Sequence, residues 1–265
     1  MSLVLAALVS PFLLGVITRV KAWFAGRRGA PLLQPYHDLL RLVQKGAVYS
    51  HTTTWVFKLA PSVCLACSLG AAALLPSQAL PTLLLACSLL ALQRFWMVLA
   101  ALDTGSSFEG MGASREVQFS ALAELGLLFS LAVSVSQQQP SLLLGLALFI
   151  VVLAESARVP VDDPNTHLEL TMIHEVMILD HSGPDLAFMT WAAAIKLWVL
   201  GALAASLLAP GLSLLELMGA EIGLALAIGV VESSVARLRL LRVSELLATA
   251  SALAALALLL QTRGS

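Results

Sequence analysis

Eight apolar stretches dominate the sequence, and each is close to the length that an α-helix needs to cross a bilayer. The mean hydropathy is +0.91. Only 12% of the residues are charged, about half the fraction of a soluble domain. The sequence therefore predicts an all-α integral membrane protein with residues 1–265 as a single transmembrane domain. The predicted spans are 2–20, 56–76, 81–102, 115–136, 141–157, 185–208, 212–232 and 243–261.

Positive charge is unevenly distributed between the segments that join these spans. The three shortest turns, near Pro76, 137–140 and Pro210, contain no charged residue, whereas the four longer loops all contain arginine or lysine. By the positive-inside rule, the four loops are predicted to be cytoplasmic and both termini to lie outside. The predicted cytoplasmic loops are 19–55, 103–115, 158–185 and 233–242.

The first loop contains the segment "QPYHDLLRLVQK" at Gln34–Lys45. Its apolar residues recur at helical spacing, and its charged residues fall largely on the opposite side. This pattern predicts a short amphipathic helix at the membrane interface. The apolar side contains Tyr36, Leu39, Leu40 and Val43, and the polar side contains His37, Asp38, Arg41 and Lys45.

The third long loop is strongly acidic. Between Glu155 and Asp185 there are seven acidic residues, three histidines and one arginine. Asp163 as N-cap and Pro164 as first helical residue predict a helix over 164–180. His167 and His174 are seven residues apart, about 10 Å along a helix, which is too far for two ligands of one metal ion. We expect solvated or partner-facing histidines, with a role in proton relay as the alternative.

Several ionisable residues fall inside the predicted spans, where charge is costly and usually marks a buried pair or an ion pathway. A single residue of this kind is readily explained by a pair between helices, for example Arg94 or Lys196 with a glutamate. Carboxylates on several helices together with a lysine favour a polar path that holds and passes protons. The residues in question are Arg94, Glu124, Glu155, Lys196, Glu216, Glu221 and Glu232.

No catalytic, cofactor-binding or metal-binding site is predicted in this chain. The sequence has no basic tract typical of nucleic-acid binding, no P-loop and no nucleophile–base arrangement. "EGMGAS" at 109–114 lacks the third glycine of a dinucleotide fingerprint. Cys64 and Cys67 form a C-x-x-C inside an apolar run without further ligands, which favours a structural role.

Three stretches resemble a known family: "RRGAPLLQPYHDLLRLVQKG" (27–46), "EGMGASREVQFSALAELGLL" (109–128) and "AESARVPVDDPNTHLELTMIHEVMILDHSGPDLA" (154–187). The chain resembles the membrane subunit at the junction of respiratory complex I with its peripheral arm, and its counterpart in membrane-bound group 4 [NiFe] hydrogenases. The compact "RRGAPLLQP" and the wording of "PVDDPNTHLELTMIHE" favour the formate hydrogenlyase and energy-converting hydrogenase type. The specific pattern is Glu155, Arg158, Pro160 and Asp162, followed by Glu169, Glu175 and Gly183.

The resemblance implies a non-catalytic membrane anchor in a prokaryotic cytoplasmic (inner) membrane. The implied partners are a [NiFe]-hydrogenase-like large subunit and an iron–sulfur small subunit on the cytoplasmic side, antiporter-like membrane subunits, and lipid. Iron–sulfur clusters, with or without a NiFe centre, would belong to those partners. By the resemblance, Glu124, Glu155, Glu169 and Glu175 correspond to the family's line of acidic residues leading into the membrane. Glu221, Glu232 and Lys196 are added to this pathway from their positions in the predicted spans.

The loops are expected to dock the redox partner. Two alternatives stay open: a complex I-type subunit that forms a quinone site between the first loop, the first helix and 154–187, and a stand-alone ion channel or transporter. The expected docking residues are Arg27, Arg28, Asp38, Arg41, Lys45, Arg115, Arg158, Asp162, Asp163, His167 and His174.

Overall fold

The computed structural model describes residues 3–135, 141–162 and 172–263, and these residues form nine α-helices. Seven of the described helices are long and apolar enough to cross a membrane, which confirms the prediction of an all-α integral membrane protein. The helices are α1 (Leu3–Phe24), α2 (Gln34–Val43), α3 (Trp55–Leu74), α4 (Leu80–Asp103), α5 (Ser107–Val135), α6 (Leu142–Glu155), α7 (Gly183–Leu208), α8 (Leu214–Ser234) and α9 (Leu240–Arg263).

Each of the eight predicted spans overlaps one of these helices over most of its length, but α6 is short. Its 14 residues cover about 21 Å, less than the ~30 Å of a bilayer's hydrocarbon core. Ser141 caps its first turn by accepting a hydrogen bond from the Leu144 amide at 3.2 Å. Glu155, the last residue of α6, therefore lies less than a bilayer thickness from Leu142, the first residue of that helix.

Helix α7 is the centre of the helix bundle. It contacts α1, α3, α6 and α8, while α5, α6 and α9 pack against one another on one side. Its buried residues include the fully enclosed Trp198. A polar side chain on α7 therefore faces protein on nearly all sides, which places Lys196 deep within the bundle.

The bundle has two unlike ends. The connections 75–79 and 209–213 lie at one end, which we call the turn end, and both contribute to one cavity there. The opposite end, which we call the loop end, has the described parts of the long connections 25–54, 156–182 and 235–239. Because consecutive membrane helices run in opposite directions, the position of a residue along its helix gives its depth from either end.

The amphipathic helix predicted in the first loop is present as α2. None of its ten residues is buried, and it contacts α1 and α7. The hydroxyl group of Tyr36 donates a hydrogen bond to the Leu8 carbonyl of α1. Leu40 and Val43 are exposed, so the apolar side of α2 is only partly covered by the chain itself.

In its described part, from residue 172 onward, the acidic segment differs from the helix predicted over 164–180. Asp163, His167 and Glu169 lie outside the described residues. The described part, 172–182, contains a single 3-10 helix at Glu175–Ile178. The amides of Ile173 and His174 donate to the Asp162 carboxylate, each at 3.0 Å. Both amides therefore bind a side chain, and the described residues that follow form a 3-10 turn rather than an α-helix.

Candidate functional site

A buried arginine organises the polar interior of the bundle. Arg94 of α4 is 7% exposed. Its Nε lies 3.3 Å from Glu116 Oε1 and its Nη1 lies 2.6 Å from Glu124 Oε1, both on α5. Its Nη2 pairs with Glu155 Oε2 at the end of α6. The planar guanidinium has five donors in a fixed fork, which suits it to several carboxylates at once.

A second cation reaches the same carboxylate from α7. Lys196 Nζ lies 2.9 Å from Glu155 Oε2, the oxygen that also pairs with Arg94. We refer to Arg94, Glu116, Glu124, Glu155 and Lys196 as the Arg94 network. It contains three carboxylates and two cations, so its formal charge is −1 when all groups are ionised. Since unbalanced charge is costly in a low dielectric, the network favours binding one further proton or cation.

Glu155 also faces a cavity that connects the Arg94 network with the acidic loop. The cavity has a volume of about 120 Å³, and Glu155 and Lys196 form part of its wall. Arg158, His174 and Glu175 line the same cavity from the loop end. A cavity of this size with several charged side chains in its wall has room for water. A chain of water and carboxylates between loop and membrane is therefore sterically allowed.

The pKa values of two loop residues in this cavity, Glu175 and His174, are shifted in opposite directions. Partial burial raises the pKa of Glu175 to about 7, with Asp162 acting in the same direction and Arg158 opposing it. Burial lowers the pKa of His174 to about 4, and the positive charges of Lys196 and Arg158 add to this effect. At neutral pH, His174 is therefore uncharged, and Glu175 is close to the midpoint of its titration.

Three further ion pairs hold the loop end together. Glu232 of α8 accepts Lys21 Nζ at 2.7 Å and lies 3.5 Å from Arg158 Nη1. Asp162, which is 1% exposed, pairs with Arg237 at 3.0 Å. Asp162 therefore ties the loop between α6 and α7 to the loop between α8 and α9.

Glu221 and Glu232 lie on the same helix but are not connected. They are eleven residues apart on α8, about 16.5 Å along the helix axis. Glu232 is paired, whereas Glu221 has no partner among the described residues. Glu216 has a structural role, since its carboxylate and the Ser213 hydroxyl form a capping box at the start of α8.

The expected docking residues divide into exposed and structural groups. Arg115 Nη1 donates to the Met172 carbonyl at 2.9 Å, and Arg158 and Asp162 make the ion pairs described above, so these three support the acidic loop from within. His174 lines the cavity. The exposed residues of the group are Arg27, Arg28, Asp38, Arg41 and Lys45.

Three charged partners were not identified from the sequence, namely Glu116, Lys21 and Arg237, and Arg94 was expected to pair with a glutamate but not to be the centre of the site. Glu116 is the second residue of the span predicted over 115–136, but it lies well inside α5 because this helix begins at Ser107. Lys21 falls within α1 because that helix continues to Phe24. A stronger signal was available for Arg94, since an arginine inside an apolar span requires a carboxylate partner.

The cysteines and histidines form no metal centre in the described parts of the chain. No group of three or more His, Cys, Asp or Glu side chains there could hold a metal ion. The Cys64 thiol donates to the Gln93 carbonyl at 3.3 Å, and Cys67 is also buried. The C-x-x-C residues therefore contribute to packing between α3 and α4.

The fold and the site together define the class of this chain: a multi-helix membrane protein with a charge network at the base of an acidic loop. The chain belongs to the NADH dehydrogenase family, which matches residues 1–263. It is 31% identical to formate hydrogenlyase subunit 4 of Escherichia coli (strain K12), over 88% of this chain and 87% of that protein. It is 29% identical to hydrogenase-4 component C of the same organism, over 78% of this chain and 73% of that protein.

The fold is also found in a solved structure of the membrane-bound sulfane sulfur reductase (MBS), described as an archaeal respiratory membrane complex. The TM-score is 0.85 with 18% identity, covering 98% of this chain and 96% of that one. At this identity, the similarity establishes the fold alone.

Proposed function

We propose that this chain is the membrane anchor and coupling subunit of a membrane-bound respiratory-type hydrogenase complex. Electron transfer in a docked [NiFe]-hydrogenase and iron–sulfur module would drive translocation of protons, or of Na⁺, through the buried carboxylates. The observation that carries the proposal is the double position of Glu155, in the Arg94 network and in the wall of the cavity below the acidic loop. The similarity to a formate hydrogenlyase subunit and a hydrogenase component supports the hydrogenase type.

In this proposal, Glu155 transmits a change in the loop to the membrane. Glu155 Oε2 is shared between Arg94 and Lys196. A proton that reaches Glu155 through the cavity neutralises it, which frees Lys196 and leaves Arg94 with Glu116 and Glu124. Because charges in a low dielectric interact strongly, movement of the acidic loop on docking or reduction of the partner would change how tightly Glu155 holds that proton.

The proposal places the loop end on the cytoplasmic side of a prokaryotic inner membrane, with both termini outside and residues 1–265 acting as one transmembrane domain. The redox subunits would dock there and carry the metal cofactors, while antiporter-like subunits and lipid would cover the lateral faces. Trp23, Val48 and Trp55 are 76%, 73% and 67% exposed at this end. Exposed apolar surface of this kind is typical of an interaction site.

The decisive variant is Glu155→Gln in the intact complex, reconstituted into proteoliposomes. We expect loss of most ion pumping with the redox activity of the soluble module retained, because the neutral amide no longer exchanges a proton. Glu216→Gln, which alters only an exposed helix cap, is the matched control and should pump normally. Unchanged pumping in both Glu155→Gln and Glu124→Gln would contradict the proposal.

A second candidate function is formation of a quinone site, as in complex I. It is favoured by an apolar cavity of about 240 Å³ between α1, α2 and α7. Leu8, Leu40 and Trp191 line it, and a cavity of this composition suits a hydrophobic ligand. Inhibitor-sensitive quinone reduction by the purified complex would favour this function, and hydrogen evolution without it would favour the hydrogenase type.

A further inference from the structure

Glu221 is the most isolated buried acid in the described part of the chain. It lies in α8 with 1% of its surface exposed. Neither of its carboxylate oxygens has a hydrogen-bond or ion-pair partner among the described residues. An ionised carboxylate in such surroundings is very costly, whereas the neutral acid is tolerated. The surroundings of Glu221 are therefore those of a group that binds a proton.

A glycine on the neighbouring helix makes room for this carboxyl group. A Cβ atom at Gly201 of α7 would lie 2.6 Å from Glu221 Oε2 and 2.9 Å from Oε1. It would also lie 2.7 Å from Leu224 Cδ2. The Glu221 side chain thus occupies a space against the α7 backbone that any residue larger than glycine would fill.

Glu221 is separate from the Arg94 network. Gly201 lies five residues beyond Lys196 on α7, about 7.5 Å further toward the turn end. None of the described lysine or arginine side chains pairs with Glu221. A proton on Glu221 is therefore not held by direct contact with the charges that hold Glu155.

A cavity at the turn end approaches Glu221 from the other side. Its volume is about 230 Å³, and Gln78 and Ser206 supply its polar side chains. Ala202, next to Gly201 in the chain, and Leu217, one helical turn before Glu221, also line it. Glu221 is seven residues from the start of α8, about 10 Å deep. The inner wall of the cavity is therefore one turn from the carboxyl group.

We propose that Glu221 is a second proton-binding site that exchanges its proton with the turn end, through the cavity lined by Gln78 and Ser206. The inference rests on the proposed function for the direction of transport. The Arg94 network would receive charge from the acidic loop, and Glu221 would exchange protons with the opposite face. Protons would then enter one pathway within this chain at the Arg94 network and leave it at Glu221.

The first test asks whether Glu221 holds a proton. Dicyclohexylcarbodiimide, an apolar reagent for protonated carboxyl groups, is added to membranes that contain the intact complex, and the modified residues are mapped by mass spectrometry. We expect an adduct on Glu221 that is lost in Glu221→Gln, and none on Glu155, which is held by Arg94 and Lys196. Absence of a Glu221 adduct at both mildly acidic and neutral pH would overturn the proposal.

The second test asks which face reaches the site. Gln78→Cys and Ser206→Cys are exposed to a membrane-impermeant thiol reagent on either side of oriented vesicles, with the native cysteines as background. We expect labelling only from the face opposite the acidic loop. Labelling only from the loop side, or none at all, would overturn the proposed access route. If Glu155→Gln abolishes pumping while Glu221 escapes the carbodiimide, this inference fails and the proposed function stands. If Glu221 forms the adduct while Glu155→Gln and Glu124→Gln both pump normally, the proposed function fails and Glu221 remains a proton-binding site.

Discussion

Glu155 and Glu221 are both buried carboxylates, but their surroundings are opposite. Glu155, at the loop end of α6, shares one oxygen between Arg94 and Lys196. Glu221 of α8 has no charged partner among the described residues and lies against a glycine of α7. The difference shows two ways to bury an acid in a membrane bundle. Cations can compensate its charge, or close packing without a polar partner can favour its neutral form. It follows that charge pairs should stabilise the loop half and close packing the turn half.

The largest effect on this comparison is expected from removal of the central cation, Arg94. Arg94→Leu leaves Glu116, Glu124 and Glu155 with only Lys196. We expect the free energy of unfolding to fall by about 3–5 kcal/mol, because a buried charge without its partner is strongly destabilising. Unfolding in mixed detergent and dodecyl sulfate measures this change.

The matched control for that measurement is Arg239→Leu, since Arg239 is an exposed residue of the loop before α9. An exposed substitution of this kind should change the stability by less than about 0.5 kcal/mol. Equal losses in the two variants would mean that charge pairing does not stabilise the loop half.

The next effect concerns the anchoring of the acidic loop. Asp162→Asn removes the charge that accepts the Ile173 and His174 amides and pairs with Arg237. We expect a loss of about 1.5–3 kcal/mol, the usual value for hydrogen bonds to charged groups. Amide hydrogen exchange over 172–182 should become faster. Asp180→Asn changes an exposed side chain of the same loop, and faster exchange there as well would argue against a specific role of Asp162.

The turn half is tested by adding one methyl group. Gly201→Ala brings a Cβ against Glu221 and Leu224, and overpacking of this kind costs about 1–3 kcal/mol. Gly219→Ala and Gly223→Ala, where a Cβ would meet nothing within 4 Å, should instead gain up to about 1 kcal/mol from helix propensity. Thermal unfolding of the three variants therefore gives opposite signs. The same sign in all three would show that Gly201 is not a close contact.

Much of the fold could be predicted from the sequence because a bilayer leaves few choices. A run of about twenty apolar residues has to become a helix in lipid, and each of the eight predicted runs overlaps one over most of its length. The helix ends were less predictable. α5 begins at Ser107 because polar residues such as Glu109 and Arg115 remain helical where they contact the loop beside them.

Part of the site was predictable as a set of residues, but its geometry was not. An acid inside an apolar span is conspicuous in any sequence, so Glu155 and Glu221 were both identified. Which of them is paired depends on how α4, α5, α6 and α7 meet, and hydropathy contains no information on that. Asp162 shows the same limit, because it accepts hydrogen bonds from the Ile173 and His174 amides, and capping signals in the sequence do not predict these contacts.

The smallest effect at neutral pH involves His181, which is the loop-end counterpart of Glu221. His181 is 3% exposed, its ring is stacked on Phe57 with centroids 3.9 Å apart, and neither ring nitrogen has a partner among the described residues. Burial lowers the pKa of His181 to about 4. His181 is therefore a second buried group that has no polar partner among the described residues and stays neutral, but it lies in the loop half, which charge pairs stabilise.

A neutral buried histidine predicts a pH dependence with a definite sign. The unfolded chain binds a proton at His181 below about pH 6.5, whereas the folded protein does so only near pH 4. Stability should therefore fall as the pH is lowered from about 6.5 to 4. His181→Phe keeps a flat ring against Phe57 and removes this contribution, so its melting temperature should match the wild type near neutral pH and exceed it in acid. His51→Phe, at an exposed position, should melt like the wild type throughout. If His181→Phe loses stability equally at every pH, His181 has a polar partner. The contrast between paired and unpaired buried groups would then not extend to His181.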